Sequence, residues 1–134
     1  MQYLLDTCAI SDFIKGEPGT QSKIKQTAPV NIAVSSITVM ELNYGLALNP
    51  QQAKKIQPII LSFLSSVTIL PFTAAEAEKA AQIRALLKSQ GQPIGAYDVW
   101  IAATALEHNL IVITANQREF NRVVDLKTEN WRQT

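Results

Sequence analysis

The segment QPIGAYDVWIAATAL, residues 92–106, places one carboxylate at the start of an almost wholly apolar helix. The spacing of its apolar residues predicts that this helix runs over about 99–108. Asp98 then lies in line with the apolar face at offsets of three, four, seven and eight residues, which are Ile101, Ala102, Ala105 and Leu106. A charge above a core-facing surface is either the N-cap of its helix or part of a functional site.

Composition limits the class of protein. The chain has 134 residues, of which 47% are hydrophobic, and we expect a single domain over 1–134 with about two-thirds of its unfolded surface buried. Its N-terminus lacks a signal peptide pattern and no apolar run approaches the ~18 residues of a membrane span, so we expect a cytoplasmic protein without a membrane partner. One cysteine excludes an internal disulfide and a cysteine-rich zinc site. The net charge of +1 gives no global attraction for nucleic acid, so any such contact must be local.

Strand and helix patterns alternate along the chain. Apolar segments bounded by turn residues predict strands at 2–5, 30–35, 67–72 and 110–114, with a short fifth near VVDLK, 123–127. Helical spacing between them predicts four helices: one that ends near GEPG, one over 37–48, one around 56–64 and one over 73–91. Pro58 lies either in the first turn of the third helix or at a kink in it. A capping box of Thr73 and Glu76 is expected to start the fourth helix. This alternation favours an α/β fold with a mostly parallel sheet covered on both faces.

Polar residues are expected to meet at one edge of this sheet. In a parallel sheet the carboxyl ends of the strands and the N-termini of the following helices lie on the same side. Asp6 follows the first strand, Glu41 lies in the helix after the second, Asp98 starts the helix before the fourth, and Asn116 follows the fourth. Residues far apart in sequence therefore form one predicted cluster.

Each acid also has a structural interpretation. Asp98 suits an N-cap, Thr38 and Glu41 match a capping box, and Asp6 is suited to ending a strand. Against this, helical spacing places Glu41 on one face with apolar side chains, which predicts that it points inward as Asp98 does. The apolar residues of that face are Ile37, Tyr44 and Leu48.

Three inward carboxylates would not remain charged alone. At ~5 Å each pair repels by roughly 3 kcal/mol with an effective dielectric of ~20, so the acids either take up protons or bind a cation. A group of oxygen ligands without histidine or cysteine suits Mg²⁺ or Mn²⁺. Such a site lowers the pKa of a bound water and shields a phosphate from repulsion. The residues therefore predict a metal-dependent phosphodiesterase.

Other polar residues are assigned structural roles. His108 lies at a helix C-terminus, where it suits a cation or a donor to carbonyls. Cys8 is expected to be a small, partly buried side chain beside Asp6. Solvated acids are predicted at Asp12, Glu107, Glu119 and Asp125. Phosphate contacts or ordinary surface charge are the alternatives for Arg118, Arg122 and Arg132.

Four segments together resemble a known family. YLLDTCAIS, SSITVMELNYG, KSQGQPIGAYDVWIAATAL and VITANQREFNRVVDLKTENW are similar to the PIN-domain ribonucleases of the VapC type, toxins of bacterial toxin–antitoxin pairs. The resemblance implies a three-layer α/β/α PIN-like fold and cleavage of single-stranded or loop RNA, with tRNA as one candidate. It also implies that Asp6, Glu41 and Asp98 hold Mg²⁺ or Mn²⁺, with Asp6 and Asp98 as direct ligands.

The resemblance extends to further residues and to partners. It adds Asn116 to the catalytic set, where many relatives have a fourth acid, and makes Thr7 and Thr114 auxiliary residues. It implies a homodimer that a VapB-type antitoxin silences by covering the acids. Two alternatives stay open: a PIN-like binding module without strong activity, because Cys8 and Asn116 depart from the commonest pattern, and a phosphatase with an aspartyl nucleophile, although Cys8 stands where that class has a second Asp.

Overall fold

A computed structural model of the chain describes residues 1–133. Within that range five parallel strands form one sheet in the order β3-β2-β1-β4-β5. The strands are β1 (Tyr3–Leu5), β2 (Ile32–Ser35), β3 (Thr68–Leu70), β4 (Ile111–Ile113) and β5 (Thr128–Glu129). The helices are α1 (Thr7–Lys15), α2 (Pro18–Gln26), α3 (Ser36–Leu48), α4 (Pro50–Ser66), α5 (Ala74–Ser89), α6 (Ala96–His108) and α7 (Gln117–Phe120).

Helices cover both faces of the sheet. Successive strand residues point to opposite faces, so Leu4 joins one apolar core and Leu5 joins another. The core around Leu4 is completed by α5 and α6, and the core around Leu5 by α1 to α4. The predicted three-layer α/β/α fold with a parallel sheet is confirmed. Among residues 1–133, no helix is long and apolar enough to span a membrane.

Two elements differ from the sequence-based prediction. The fifth strand lies at Thr128–Glu129 rather than at 123–127, because Asp125 has a φ of 67°, which turns the chain instead of extending it. The second helix, α2, was not predicted because it buries only Thr20 and Ile24 and so has a weak apolar pattern. Its N-cap is Glu17, whose carboxylate accepts a hydrogen bond of 2.7 Å from the Thr20 N–H.

The starts of three helices differ from the capping predictions, although Thr73 is the N-cap of α5 as expected. Gly95 is the N-cap of α6, so Asp98 lies in the first turn and does not cap the helix. Ser35 caps α3, so Thr38 lies inside that helix and does not form a capping box with Glu41. At α5, the Thr73 side chain makes no hydrogen bond to the helix backbone.

The expected inward face of α3 and the expected start of α4 also need correction. Tyr44 and Leu48 are 63% and 67% exposed, so the face shared with Glu41 is not a core face. The buried residues of α3 are instead Thr38 and Leu42. Helix α4 begins at Pro50, so of the two predicted positions for Pro58, the first turn is wrong and the helix interior is correct.

Glu76 joins α5 to the end of α6. Its carboxylate is 3% exposed and accepts a hydrogen bond of 2.5 Å from the Thr73 hydroxyl. Its other oxygen lies 3.4 Å from Nε2 of His108. His108 therefore contacts a buried carboxylate, which agrees with a structural role at the helix C-terminus.

The C-terminal segment packs across α1 and α2. The Trp131 ring lies edge-on to Tyr3 with centroids 5.1 Å apart. Arg132 donates two hydrogen bonds to Asp12, of 2.7 and 3.0 Å, so Asp12 is paired rather than solvated as predicted. The Gln133 N–H donates to Glu17 over 3.1 Å. A glycine at position 19 makes this approach possible, because a Cβ there would clash with main-chain atoms of Trp131 and Gln133.

We therefore expect Gly19→Ala to lower the free energy of unfolding by about 1–3 kcal/mol, as overpacking does. The matched control is Gly45→Ala, because Gly45 lies inside α3 with open space around its Cβ position. That change should stabilise the protein by about 0.5–1 kcal/mol. Urea denaturation of the three proteins measures both effects. Equal stability of Gly19→Ala and the wild type would show that the C-terminal segment does not pack as described.

Candidate active site

The predicted cluster lies at the carboxyl edge of the sheet. Asp6 directly follows β1 and Thr114 directly follows β4, and these two strands are adjacent and parallel. A hydrogen bond of 3.1 Å from the Asp6 N–H to the carbonyl of Ile113 continues the pairing of the strands past their ends. The two segments that carry candidate residues are therefore held side by side by main-chain bonds.

Asp6 is the most buried acid of the cluster, with 3% of its surface exposed. It is the N-cap of α1, and its carboxylate accepts a hydrogen bond of 2.8 Å from the Ala9 N–H. Burial raises its pKa from an ordinary 3.8 to about 6, although hydrogen bonds to Thr114 and Ala9 act in the opposite direction. The protein therefore holds this carboxylate where its charge is strongly disfavoured.

Asp98 reaches the same edge from α6. It lies in the first turn of that helix and is partly buried. Its pKa is raised to about 6, first by burial and then by the negative charges of Asp6, Glu119 and Glu41. Four carboxylates are thus near enough to influence one another, which supports the predicted convergence.

Thr7 positions the third predicted acid. Its hydroxyl donates a hydrogen bond of 2.7 Å to Oε1 of Glu41 and lies 3.5 Å from the hydroxyl of Thr38. Thr7 is the first residue of α1, so this bond ties Glu41 of α3 to the residue that follows Asp6. The hydrogen bond with Thr7 therefore directs the Glu41 side chain toward the cluster, although the helix face that carries Glu41 and Tyr44 is not a core face.

Asn116 links two carboxylates. Its side-chain amide donates to Oε2 of Glu119 over 2.5 Å and lies 3.5 Å from Oδ2 of Asp98. Its own N–H donates to the Thr114 hydroxyl over 2.9 Å, which fixes the turn after β4. Glu119 was predicted to be solvated, but it is partly buried and belongs to the cluster. The three-residue spacing from Asn116 to Glu119 is the sequence pattern that points to this contact.

The acids suit a divalent cation, although they do not form a finished site. Within residues 1–133, no three His, Cys, Asp or Glu side chains stand close enough together to hold a metal as they are. Mg²⁺ is usually bound through only one or two carboxylates, with water and phosphate as its other ligands. Asp6 and Asp98 offer such a pair, and a cation between them would relieve the repulsion and burial that raise both pKa values.

Comparison with known proteins places the chain in a family. The model of the PIN domain matches residues 3–126. The chain belongs to the PIN-domain family, in its VapC branch. It is 41% identical to "Ribonuclease VapC2" of Haemophilus influenzae and 37% identical to "tRNA(fMet)-specific endonuclease VapC" of Shigella flexneri, over 98% of both chains in each case.

Solved structures agree with this placement. The VapBC2 complex of Rickettsia felis, crystallised with a DNA fragment from its promoter, contains a chain with a TM-score of 0.89 and 32% identity. That match covers 98% of this chain and 99% of the other. DNA-bound VapBC of Salmonella typhimurium matches with the same TM-score of 0.89 and covers 98% of each chain. The VapC-type PIN domain described here therefore shares its whole fold with these proteins.

Two arginines considered as phosphate contacts have structural partners in this PIN domain. Arg132 is paired with Asp12, and Arg122 donates a hydrogen bond of 3.0 Å to the carbonyl of Pro93. Arg118 is exposed. The two hydrogen-bonded arginines fix the C-terminal segment and the loop before α6.

Cys8 is exposed to solvent, more so than the predicted partly buried position, although neighbouring atoms still exclude some water from its thiol. Partial desolvation, followed by the negative charges of Asp6, Asp98 and Asp12, raises the pKa of its thiol. A thiol that resists ionisation is a poor nucleophile. The raised pKa of the Cys8 thiol argues against a role for Cys8 as a nucleophile.

The raised pKa of Asp6 predicts how metal-free stability depends on pH. Below about pH 3 the carboxyl is protonated in the folded and unfolded states. As the pH rises through 3.8 toward 6 the unfolded state ionises first, so stability falls. The shift from 3.8 to about 6 corresponds to about 3 kcal/mol at pH 7. We expect Asp6→Asn to gain about this much over the wild type between pH 4 and 7, measured by urea denaturation in EDTA.

The control for this experiment is Asp125→Asn, because Asp125 is exposed. Its stability relative to the wild type should not change with pH by more than about 0.5 kcal/mol. A stability difference between Asp6→Asn and the wild type that stays constant from pH 4 to 7 would contradict the assigned burial of the Asp6 charge.

Proposed function

We propose that this VapC-type PIN domain is an endoribonuclease toxin of a toxin–antitoxin pair, which hydrolyses RNA phosphodiester bonds with Mg²⁺ or Mn²⁺. The main support is the convergence of Asp6, Glu41, Asp98 and Asn116 at one edge of the sheet. Within residues 1–133, none of the three acids forms an ion pair with a basic side chain. The names of the similar ribonucleases support it. Retention of the acids argues against an inactive binding module.

Each residue of the cluster has a role in the proposed reaction. Asp6 and Asp98 would hold the cation directly, and Glu41, oriented by Thr7, would accept a hydrogen bond from the attacking water. The cation, when bound, would lower the pKa of the attacking water and shield the charge of the phosphate. Asn116 keeps Glu119 and Asp98 together, and Thr114 fixes the turn that carries Asn116.

A tRNA is the substrate class to test first. The relative from Shigella flexneri, which is named a tRNA(fMet)-specific endonuclease, is 37% identical to this chain over 98% of its length. Sequence-specific contacts to RNA are usually made with single-stranded loops whose bases are unstacked. We therefore assign a tRNA loop as the substrate.

An antitoxin is the proposed partner, because similar structures are VapBC complexes. A groove of about 180 Å³ lies between α1, α3 and α4 and begins at Thr7 and Glu41. Its apolar wall includes Ile14, Leu46 and Ile56. An apolar segment of the antitoxin fits this groove, and a basic side chain at its end would reach the carboxylates.

Self-association is proposed through the outer face of α3. Met40, Tyr44 and Leu48 are 40%, 63% and 67% exposed and follow one another at four-residue spacing. Such spacing places them on one side of the helix. A continuous apolar surface of this kind is typical of an interface, and we assign it to the homodimer.

The central prediction is that Asp98→Asn abolishes metal-dependent RNA cleavage. The amide keeps the shape of the carboxylate, and since Gly95 caps α6 the helix start should be unaffected. Rates should fall by at least about 100-fold in Mg²⁺ or Mn²⁺, the scale of a lost electrostatic contact in a transition state. Gel-based cleavage of bulk tRNA and isothermal titration with Mn²⁺ measure activity and metal binding together.

Glu107→Gln is the matched control, because Glu107 is an exposed acid on the same helix. It should cleave and bind Mn²⁺ like the wild type, and it should arrest growth of a host in which Asp98→Asn does not. Undiminished cleavage by Asp98→Asn would refute the assigned site. A wild type that neither binds Mn²⁺ nor cleaves RNA would favour the binding-module alternative.

The dimer assignment makes a separate prediction. Tyr44→Glu places a charge in the proposed interface and should convert the protein from dimer to monomer in analytical ultracentrifugation. Val30→Glu is the control, because Val30 is 70% exposed and lies outside α3. A monomeric wild type, or loss of the dimer in both variants, would contradict the assignment of the α3 face.

A further inference from the structure

A cavity beside α6 takes no part in the site described above. It has a volume of about 670 Å³ and lies between α5, the loop 90–95 and the first turn of α6. Phe72, Pro93, Ile94 and Trp100 form part of its wall. The hydrogen bond from Arg122 to the carbonyl of Pro93 holds the loop side of this wall in place. We call it the aromatic cavity.

Aromatic rings connect this cavity to the acid cluster. The rings of Phe72 and Trp100 have centroids 5.9 Å apart, and those of Trp100 and Tyr97 have centroids 5.3 Å apart. Tyr97 is 44% exposed and directly precedes Asp98 in the chain. A row of three rings therefore leads from the aromatic cavity to Tyr97, the residue that precedes a proposed metal ligand in the chain.

The charges around the aromatic cavity are of one sign. Arg84 and Lys88 on α5 are the charged residues among those that line it, and both are exposed. Neither forms an ion pair with the described residues. The cavity thus combines apolar and aromatic walls with two cations that have no ion pair among the described residues, and it shares helix α6 with Asp98 of the acid cluster.

The cavity and the acids lie within reach of one ligand strand. Asp98 and Trp100 are two residues apart in α6, which places them about 200° apart around a helix that is about 10–12 Å wide with its side chains. A chain passing over the N-terminal end of α6 would touch both flanks. The ligand must then be extended, carry negative charge and present flat apolar groups.

We propose that the aromatic cavity holds an unpaired base of the RNA substrate, whose strand crosses the start of α6 toward the acid cluster. The base stacks on Trp100, and Arg84 and Lys88 contact the adjoining phosphates. This proposal rests on the proposed ribonuclease function and adds a substrate-binding site to it. Stacking on aromatic side chains combined with a cationic groove is the usual way in which proteins bind single-stranded RNA.

An RNA strand explains the cavity better than a peptide or a second copy of the chain. An apolar partner helix would bury the aromatic rings but leave Arg84 and Lys88 desolvated without partners, which is unfavourable. RNA supplies a base for the rings and phosphates for both cations. A strand that crosses the first turn of α6 would pass from the aromatic cavity to Asp98, because the cavity wall includes residues of that turn and Asp98 belongs to it.

The test measures RNA affinity without cleavage. A short fluorescein-labelled oligouridylate is titrated with the protein in EDTA at low salt, and anisotropy gives the dissociation constant. Trp100→Leu, which keeps an apolar side chain but loses the ring, should weaken binding by about 5- to 150-fold, the range for loss of one base stack. Arg84→Gln with Lys88→Gln should weaken binding and reduce its salt dependence.

The control is Lys54→Gln with Lys55→Gln, which removes the same charge from exposed positions on α4. Since α4 packs in the other apolar core, this variant should bind nearly as the wild type does. A second probe lacks a single base. If the base stacks on Trp100, its removal should weaken binding to the wild type but not to Trp100→Leu. A purely structural role of Trp100 would not make the effect of base removal depend on this side chain.

Three results would overturn the proposal. They are unchanged affinity in both cavity variants, equal losses in the cavity and α4 variants, and a change of oligomeric mass in the Arg84 and Lys88 variant without a change in RNA affinity. The last result would identify the cavity as an interface between copies. Cleavage by the wild type with Mg²⁺, compared with Asp98→Asn, tests the ribonuclease function independently of these outcomes.

Discussion

The burial of the Asp6 carboxylate is the constraint on which the rest of this edge depends. Within residues 1–133 no cation pairs with it, and burial raises its pKa to about 6. Its partners are the Ala9 N–H and Thr114, together with the positive end of α1. These groups hold the carboxylate in place but do not neutralise it. A buried anion in such a position is destabilising unless a cation is supplied from outside.

The order of the strands determines which residues share this edge. Since β1 lies between β2 and β4, Asp6 is central, and the helix after β2 and the turn after β4 approach it from either side. Each neighbouring polar residue is held by neutral groups, as Glu41 is by Thr7 and Asn116 by Thr114. The negative charge of the cluster is thus left uncompensated while its geometry is fixed. This combination is what a site for a divalent cation requires.

Sequence patterns predicted the sheet and the edge because both depend on apolar periodicity and on the geometry of parallel strands. They did not predict the capping residues, since Gly95 and Ser35 are set by where the helices begin, a boundary that tertiary packing decides. The exposure of Tyr44 was not predicted, because an apolar helix face that is exposed to solvent has the same residue spacing as a face that packs in the core. Helix α2 was not predicted, because it buries few side chains and its sequence therefore has only a weak apolar pattern.

Glu119 shows why a residue motif alone is an incomplete description of such a site. Asn116 occupies a position where an acid was expected from the resemblance, which suggests a loss of negative charge. In the folded chain, however, its amide binds Glu119, and the charge of Glu119 raises the pKa of Asp98. A carboxylate three residues further along the chain thus supplies negative charge to the cluster, and the Asn116 amide is a donor that contacts both Glu119 and Asp98. The electrostatic potential of the cluster depends on where the carboxylates lie in space and not on which sequence position supplies them. The asparagine is therefore compatible with a strongly anionic site.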